Sequence, residues 1–291
     1  MDIWQLIGED IFNATGIRLR DGRASIGGGD INQAVRLQGE GRDFFVKTNT
    51  ARGLAMFEAE VAGLRELAAS NTVRVPEPIC CGVANGHAYL VMEFLNFSRS
   101  GDAALLGRQL AAMHRVSRKD FGWDRDNTIG STPQINTSHN DWVAFWRERR
   151  LRFQFDLARD NGCSGNLSRH GEELLDGLDS FFSDYRPQPA LLHGDLWSGN
   201  HGYLRDGAPV IFDPAVYYGD READIAMTEL FGGFSADFYA GYREAWPLDA
   251  GYGVRKHLYN LYHVLNHFNM FGGSYQGQAQ QMCERLLAEL H

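Results

Sequence analysis

Three polar side chains, each placed after an apolar run, have the residue types needed for phosphoryl transfer to a hydroxyl group. Asp195 and Asn200 follow the apolar residues 191–192, and Asp213 follows the apolar run 209–212. This transfer needs a carboxylate that orients the hydroxyl and accepts its proton, together with ligands for Mg²⁺. A single Asp in a turn is usually a turn former or a cap. The ordered set, in contrast, follows the kinase pattern H-x-D-x-x-x-x-N with a later metal-binding Asp. It predicts Asp195 as the base and Asn200 and Asp213 as metal ligands.

Two features of the first 50 residues suit a nucleotide phosphate site. Gly28 and Gly29 belong to a glycine run between predicted strands, where backbone N–H groups can approach phosphates closely. The run lacks the strict G-x-G-x-x-G spacing, and a simple hairpin is the alternative. The apolar strand 44–47 ends in Lys47, as in the V-A-I-K element whose lysine contacts the α- and β-phosphates.

A helix predicted over 54–69 carries two glutamates near its start, Glu58 and Glu60. One of them should pair with Lys47 and hold the lysine toward the phosphates. We favour Glu60, whose place before Gly63, Leu64 and Leu67 best fits the corresponding kinase helix. For Glu58 we expect a solvated side chain near the helix N-terminus.

The chain changes from strand-rich to helix-rich after residue 94, which predicts two domains, 1–94 and 95–291. The first should hold a helix over 1–15 and strands near 17–25, 34–37, 44–47, 79–83 and 88–94. The change of character marks a hinge where adenine would meet the backbone, although an ordinary sheet edge would look the same. The nucleotide-binding residues expected at this hinge are Met92, Glu93, Phe94 and Leu95.

The second part supplies further candidates. Asp224 should lie one turn inside a helix and support the catalytic loop by hydrogen bonds, the alternative being a surface carboxylate. Trp197 is expected to shape a substrate site or to wall the loop. His263 and His267 lie four apart on a helical face, which favours packing or substrate contact over a metal site. The arginine run 147–152 is expected to be a solvated face, and residues 116–138 a loop.

Composition narrows the functional class and the compartment. The 291 residues are 44% hydrophobic and 22% charged, which is ordinary for a globular protein, and the net charge is −9. This charge argues against a general nucleic-acid or anionic-membrane binder. The sequence shows neither a secretory signal nor an apolar run long enough for a membrane span. The four cysteines, of which two are adjacent, suggest a reduced, cytoplasmic protein.

Taken together, these motifs resemble the fructosamine kinase, or ketosamine 3-kinase, family. The most specific block is His193-Gly194-Asp195-Leu196-Trp197-Ser198-Gly199-Asn200, joined by the Asp-Pro-Ala at 213–215. Shorter matching blocks lie at 28–32, 45–47, 56–60, 75–78, 92–93, 121–122, 126–127, 219–222, 230–234 and 261–267. One departure is Asp30, since some relatives carry a cysteine in this loop that forms an intermolecular disulfide. Asp30 cannot form that bond.

The resemblance implies a fold, a reaction and two cofactors. The fold is α+β, bilobal and protein-kinase-like, with a small antiparallel-sheet N-lobe and a larger helical C-lobe. The reaction is ATP- and Mg²⁺-dependent phosphorylation of the 3-hydroxyl of a small-molecule or protein-linked ketosamine, which amounts to deglycation. A monomer or weak dimer is expected. Two alternatives remain: a kinase for another hydroxylated amine, such as an aminoglycoside or a choline-like metabolite, and a non-catalytic nucleotide-binding scaffold.

Overall fold

The structure is a computed structural model that describes residues 2–27, 31–163 and 165–290. Its helices are α1 Ile3–Thr15, α2 Leu54–Ala69, α3 Ala103–His114, α4 Trp142–Trp146, α5 Arg152–Asp160, α6 Asn166–Asp176, α7 Glu222–Leu230, α8 Ala236–Ala245, α9 Tyr252–Phe271 and α10 Tyr275–Ala288. Its strands are β1 Leu19–Ile26, β2 Gln33–Gly39, β3 Phe44–Thr50, β4 Pro78–Ala84, β5 His87–Glu93, β6 Phe97–Ser98, β7 Asn127–Ile129, β8 Thr132–Gln134, β9 Ala190–Leu192, β10 His201–Leu204, β11 Pro209–Ile211 and β12 Tyr217–Gly219. In these described parts of the chain, each helix is too short or too polar to span a lipid bilayer.

The chain divides into two compact units. The first comprises Met1–Asp102 and His201–Pro214, and the second comprises Ala103–Asn200 and Ala215–His291. The segment 201–214 belongs to the first unit because β10 pairs with both β6 and β11. The domain division at residue 94 stays a prediction.

The first unit is built on an antiparallel sheet of order β1-β2-β3-β5-β4. Its core forms where Ile7 and Ile11 of α1 pack on Phe44, Val46 and other apolar side chains of the sheet. Helix α2 packs against β4 and β5. Since successive strand residues point to opposite faces, the burial of Val46 in this core directs Lys47 to the other face.

The second unit is mainly helical, and its core is aromatic. Trp142 and Trp146 pack against Tyr259 and Tyr262 of α9, with ring centroids 4.9–6.2 Å apart. Strands β9 and β12 form a short antiparallel pair in which Leu192 lies opposite Tyr217. The predicted combination of a small antiparallel sheet and a larger helical part is confirmed.

Two local predictions in the second unit are wrong. The segment 116–138 contains the hairpin β7–β8 and is not simply a loop. In the arginine run 147–152, Arg150 is fully buried and donates to the Ile135 carbonyl and to Asn136 Oδ1. Its guanidinium also lies 4.2 Å from the ring centroid of Tyr217. Arg150 is therefore part of the core and not of a solvated face.

Candidate active site

Lys47 is the buried centre of an ion cluster in the first unit. Its Nζ donates to Glu60 Oε1 at 2.7 Å and to Asp213 Oδ1 at 2.7 Å. The side chains of Lys47 and Glu60 are 8% and 10% exposed, whereas that of Asp213 is 42% exposed. Strand β3, helix α2 and the end of β11 thus bring together three residues that are far apart in the sequence.

The charges in this cluster keep Lys47 protonated. Burial alone lowers the pKa of Lys47, but the negative charges of Asp213 and Glu60 outweigh it and raise the pKa above its ordinary value. Burial also raises the pKa of Glu60, although Lys47 opposes that change. A fixed, nearly buried ammonium group is suited to hold an anionic phosphate.

The backbone at Asp213 turns sharply after β11. Asp213 has a φ of +57°, a left-handed conformation that residues other than glycine adopt infrequently and that often occurs at functional sites. The preceding residue, Phe212, stacks on Phe97 with ring centroids 5.4 Å apart. This stacking fixes the chain just before the turn that presents the Asp213 carboxylate.

The candidate catalytic loop begins where β9 ends, in the second unit. Asn200 donates through Nδ2 to the backbone oxygen of Asp195 at 2.9 Å and to Asp195 Oδ2 at 3.3 Å. Gly194, with a φ of +83°, allows the chain to turn here, since a Cβ atom on it would lie 2.1 Å from the carbonyl oxygen of Ala215. The loop therefore holds Asp195 and Asn200 side by side, and Asp195 is partly exposed.

Asp224, in the first turn of α7, anchors the start of this loop. Its Oδ2 accepts the His193 N–H at 2.7 Å, and its Oδ1 accepts the Gly194 N–H at 2.8 Å. His114 Nε2 lies 3.2 Å from Oδ2. Burial raises the pKa of Asp224, but the hydrogen bonds that its carboxylate receives from His114 and from the Gly194 N–H outweigh burial and lower the pKa. Asp224 is thus a buried carboxylate that holds backbone donors. His114 was not among the residues that the sequence pattern singled out, because a lone histidine near the end of a helix is more often a packed or capping residue.

Trp197 is the first of three neighbouring aromatic rings in the second unit, the others being Phe231 and His267. Trp197 is 38% exposed and lies edge-on to Phe231, with ring centroids 6.4 Å apart. Phe231 in turn lies 4.7 Å from the ring of His267. His263 is only 4% exposed, and burial together with the neighbouring His267 lowers its pKa to about 3. The predicted substrate contacts of Trp197, His263 and His267 stay predictions, with His263 the least exposed.

The predicted adenine-binding segment contains the end of β5. Met92 is buried in the sheet opposite Phe45. The N–H groups of Glu93 and Phe94 donate to the carbonyls of Glu77 and Asp43, so these two donors are occupied.

The side chain of Glu93 holds Arg74 through both carboxylate oxygens at 2.8 Å. Leu95 follows β5 and is partly buried. Nucleotide contact by Met92, Glu93, Phe94 and Leu95 stays a prediction. The predicted phosphate-binding residues Gly28 and Gly29, and the departure at Asp30, lie outside the described residues.

The donor set of Asn200 and Asp213 fits Mg²⁺. This ion prefers carboxylate and amide oxygens over nitrogen or sulfur ligands. Asn200 uses its Nδ2 for Asp195, so its amide oxygen is the atom suited to a metal. Asp213 has a second carboxylate oxygen besides the one that contacts Lys47. Sharing of one metal ion by these two residues, which belong to different units, stays a prediction.

Comparison with known sequences identifies the family of the chain. The family model described as fructosamine kinase matches residues 3–289. A protein named as a probable ketoamine kinase from Synechocystis sp. is 49% identical over 98% of this chain and 97% of its own length. The chloroplastic protein-ribulosamine 3-kinase of Arabidopsis thaliana is 46% identical over 91% of this chain and 82% of its own length.

Solved structures give the same result for the fold. A crystal structure from Haemophilus somnus 129PT, assigned as a fructosamine-3-kinase, has a TM-score of 0.90 and 29% identity over 98% of both chains. An aminoglycoside phosphotransferase has a TM-score of 0.61 at 17% identity, over 97% of this chain and 98% of its own, which shows likeness of fold alone. The predicted kinase-like fold is therefore confirmed, and the chain belongs to the fructosamine kinase family.

Proposed function

We propose that this protein transfers the γ-phosphoryl group of ATP to the 3-hydroxyl of a ketosamine. Support comes from the family, from relatives named for ketoamine and ribulosamine phosphorylation, and from the residues described above. The acceptor is a small-molecule or protein-linked adduct of a sugar and an amine. Phosphorylation makes such an adduct unstable, so the activity amounts to deglycation, carried out in the cytoplasm by a monomer or weak dimer.

The reacting residues have distinct roles in this proposal. Asp195 orients the acceptor hydroxyl and takes its proton, and Asn200 keeps the Asp195 carboxylate in place. Lys47, held by Glu60, orients the phosphates. The hydroxyl oxygen then forms a bond to the γ-phosphorus as the bond to the β-phosphate oxygen breaks, which leaves ADP.

Asn200 and Asp213 are the side chains that would hold the metal in this proposal. When bound, Mg²⁺ neutralises negative charge on the phosphate oxygens. The contact between Lys47 and Asp213 keeps one carboxylate oxygen fixed, so that the Asp213 side chain needs little reordering to bind a cation.

The single observation that carries the proposal is the contact of the buried Lys47 side chain with both Glu60 and Asp213. Protein kinases need the corresponding lysine–glutamate pair and metal-binding Asp in place for activity. A non-catalytic scaffold usually lacks one or more of the catalytic residues, whereas this chain has Lys47, Asp195, Asn200 and Asp213. The contact together with this complete set favours an enzyme over a nucleotide-binding scaffold.

The test is phosphate transfer to a panel of acceptors. The purified protein is incubated with MgATP and a ribulosamine, an erythrulosamine, a fructosamine or an aminoglycoside, and NMR locates the phosphate. We expect transfer to the 3-hydroxyl of at least one ketosamine, and none with Asp195→Asn. Transfer to the aminoglycoside alone would replace the proposal with a kinase for another hydroxylated amine. Magnesium-dependent ATP binding without any transfer would support the scaffold.

A further inference from the structure

A chain of buried polar side chains leads from Arg221 to the catalytic loop. Arg221 Nη1 donates to the hydroxyl of Tyr242 at 3.1 Å, and this hydroxyl lies 2.7 Å from His114 Nδ1. His114 Nε2 lies 3.2 Å from Asp224 Oδ2, which accepts the His193 N–H. Arg221, Tyr242, His114 and Asp224 are each less than a tenth exposed.

The chemistry of the donors fixes the direction of these hydrogen bonds. A guanidinium can only donate, so the Tyr242 oxygen accepts from Arg221. Among the contacts described for the buried Tyr242 hydroxyl, His114 Nδ1 is the remaining atom that can accept its single hydrogen, and this nitrogen must be unprotonated to do so. A neutral imidazole with a bare Nδ1 carries its proton on Nε2. The Nε2–H in turn donates to the Asp224 carboxylate.

Arg221 is itself held from several sides. Its Nη2 donates to the carbonyl of Pro247 at 2.6 Å, and its Nη1 donates to the carbonyl of Trp246 at 3.2 Å. The guanidinium also lies 4.1 Å from the ring centroid of Trp246. The first donor of the chain is therefore fixed by the segment that follows α8.

We propose that Arg221, Tyr242 and His114 are positioning residues for the catalytic loop. Arg221 and Tyr242 hold His114 in the Nε2–H tautomer, and His114 then fixes the orientation of the carboxylate that binds the His193 and Gly194 N–H groups. The kinetic part of this inference rests on the proposed kinase function, while the hydrogen-bond part does not. None of the three residues is assigned contact with substrate or nucleotide.

The tautomer is tested directly on the full-length protein. Long-range ¹H–¹⁵N spectra of protein labelled at histidine distinguish a protonated ring nitrogen from a bare one, and His114→Gln identifies the His114 signals by their loss. We expect His114 to carry its proton on Nε2 alone. A proton on Nδ1, alone or in addition, would overturn the proposal.

Tyr242→Phe tests the effect on the loop, with Tyr239→Phe as the matched control. Tyr239 lies on the same helix, α8. Its hydroxyl donates to the carbonyl of Thr228 and accepts from Thr228 Oγ1 and the Phe234 N–H, so the control also loses partly buried hydrogen bonds. In Tyr242→Phe we expect amide hydrogen exchange at His193 and Gly194 to accelerate and kcat to fall, each by about two- to tenfold, the factor for one hydrogen bond. KM for ATP should stay within about twofold, since the nucleotide is not contacted.

The control and a second pair of variants decide the outcome. Equal exchange rates at His193 and Gly194 in the two tyrosine variants would refute the proposal. His114→Gln places an amide N–H near the position of Nε2. It should therefore protect the His193 and Gly194 amides from exchange more than His114→Leu does. Equal protection in these two variants would count against the proposed positioning role of His114. If the wild type transfers no phosphate to any acceptor, the proposed function fails. The exchange data still test the hydrogen-bond part of the inference.

Discussion

The ion pair between Glu60 and Lys47 gives the sharpest test of the phosphate-binding assignment. Glu60→Gln keeps the size and shape of the side chain but removes its charge. Lys47 then retains only Asp213 as a charged partner among the contacts described for it. Since Asp213 is also the predicted metal ligand, we expect the lysine to shift toward the metal site and away from the phosphates.

The structure sets the size of the effect. The Lys47–Glu60 contact is 2.7 Å long, and both side chains are about a tenth exposed, so solvent screens it weakly. A hydrogen bond to a charged group contributes about 1.5–3 kcal/mol. Because Asp213 still holds Lys47, we expect the loss of transition-state stabilisation to be near the lower limit of this range. Such a loss corresponds to a decrease of about 10- to 30-fold in kcat/KM.

Steady-state phosphate transfer to a ketosamine measures kcat/KM, and calorimetry measures the affinity for MgATP. Glu58→Gln is the matched control, since Glu58 is an exposed glutamate two residues earlier on α2. We expect the control to keep wild-type kinetics. If kcat/KM of Glu60→Gln also stayed within about twofold of wild type, the Lys47–Glu60 pair would contribute less than the free energy of a single hydrogen bond. Lys47 would then not depend on Glu60 for its orientation.

Three further predictions concern the loop and the buried histidine. Asp195→Asn should lower kcat by at least about 100-fold while the calorimetric affinity for MgATP stays near wild type. Gly194→Ala should destabilise the protein by at least about 2 kcal/mol in urea denaturation, whereas Gly207→Ala, with a similar φ and no atom closer than 4.0 Å to its Cβ, should cost less. His263 has a pKa of about 3 in the folded protein against 6.5 as its ordinary value, so stability is lost as the pH falls below 6.5. Between pH 7 and 5 this loss should be about 2 kcal/mol and should be absent in His263→Leu.

The parts of the fold that were predictable are those with local signals. The helix predicted over 54–69 agrees with α2, because the repeat of its apolar residues is visible in the sequence of this segment alone. Glu60 was expected beside Lys47, and Asp224 was expected to support the catalytic loop, both from their positions in the motifs. In the structure each lies at hydrogen-bond distance from its expected partner. In these cases the order of residue types along the chain was sufficient.

Arg150 shows why other parts were not predictable. Residues Arg147–Leu151 form a π-helical turn between α4 and α5. A π turn adds a residue to the helical repeat and so changes which side chains face the core. The solvated face expected for the run 147–152 was inferred from its charge, which contains no information about such a turn. The burial of a guanidinium against Tyr217, Phe145 and two backbone or amide oxygens depends on contacts that no local pattern contains.

Pairing between distant segments was hidden for a related reason. Strand β6 has only two residues, Phe97 and Ser98, which pair with Leu204 and Tyr203 of β10. A two-residue strand has no periodicity to detect. As a result, no local pattern indicated that 201–214 joins the first unit, although Asp213 was correctly placed after an apolar strand.

The reacting groups and their supports differ in burial, and this difference predicts how substitutions will behave. Asp195 and Asp213 are partly exposed, so water can solvate what remains after either is replaced. Asp224 is buried beneath the loop and bound to three donors, and its removal would leave buried N–H groups without an acceptor. Leaving such groups unpaired costs about 1–3 kcal/mol each. Substitutions at Asp195 should therefore reduce activity with little change in stability, whereas substitutions at Asp224 should reduce both, and urea denaturation of Asp195→Asn and Asp224→Ala side by side would separate the two classes.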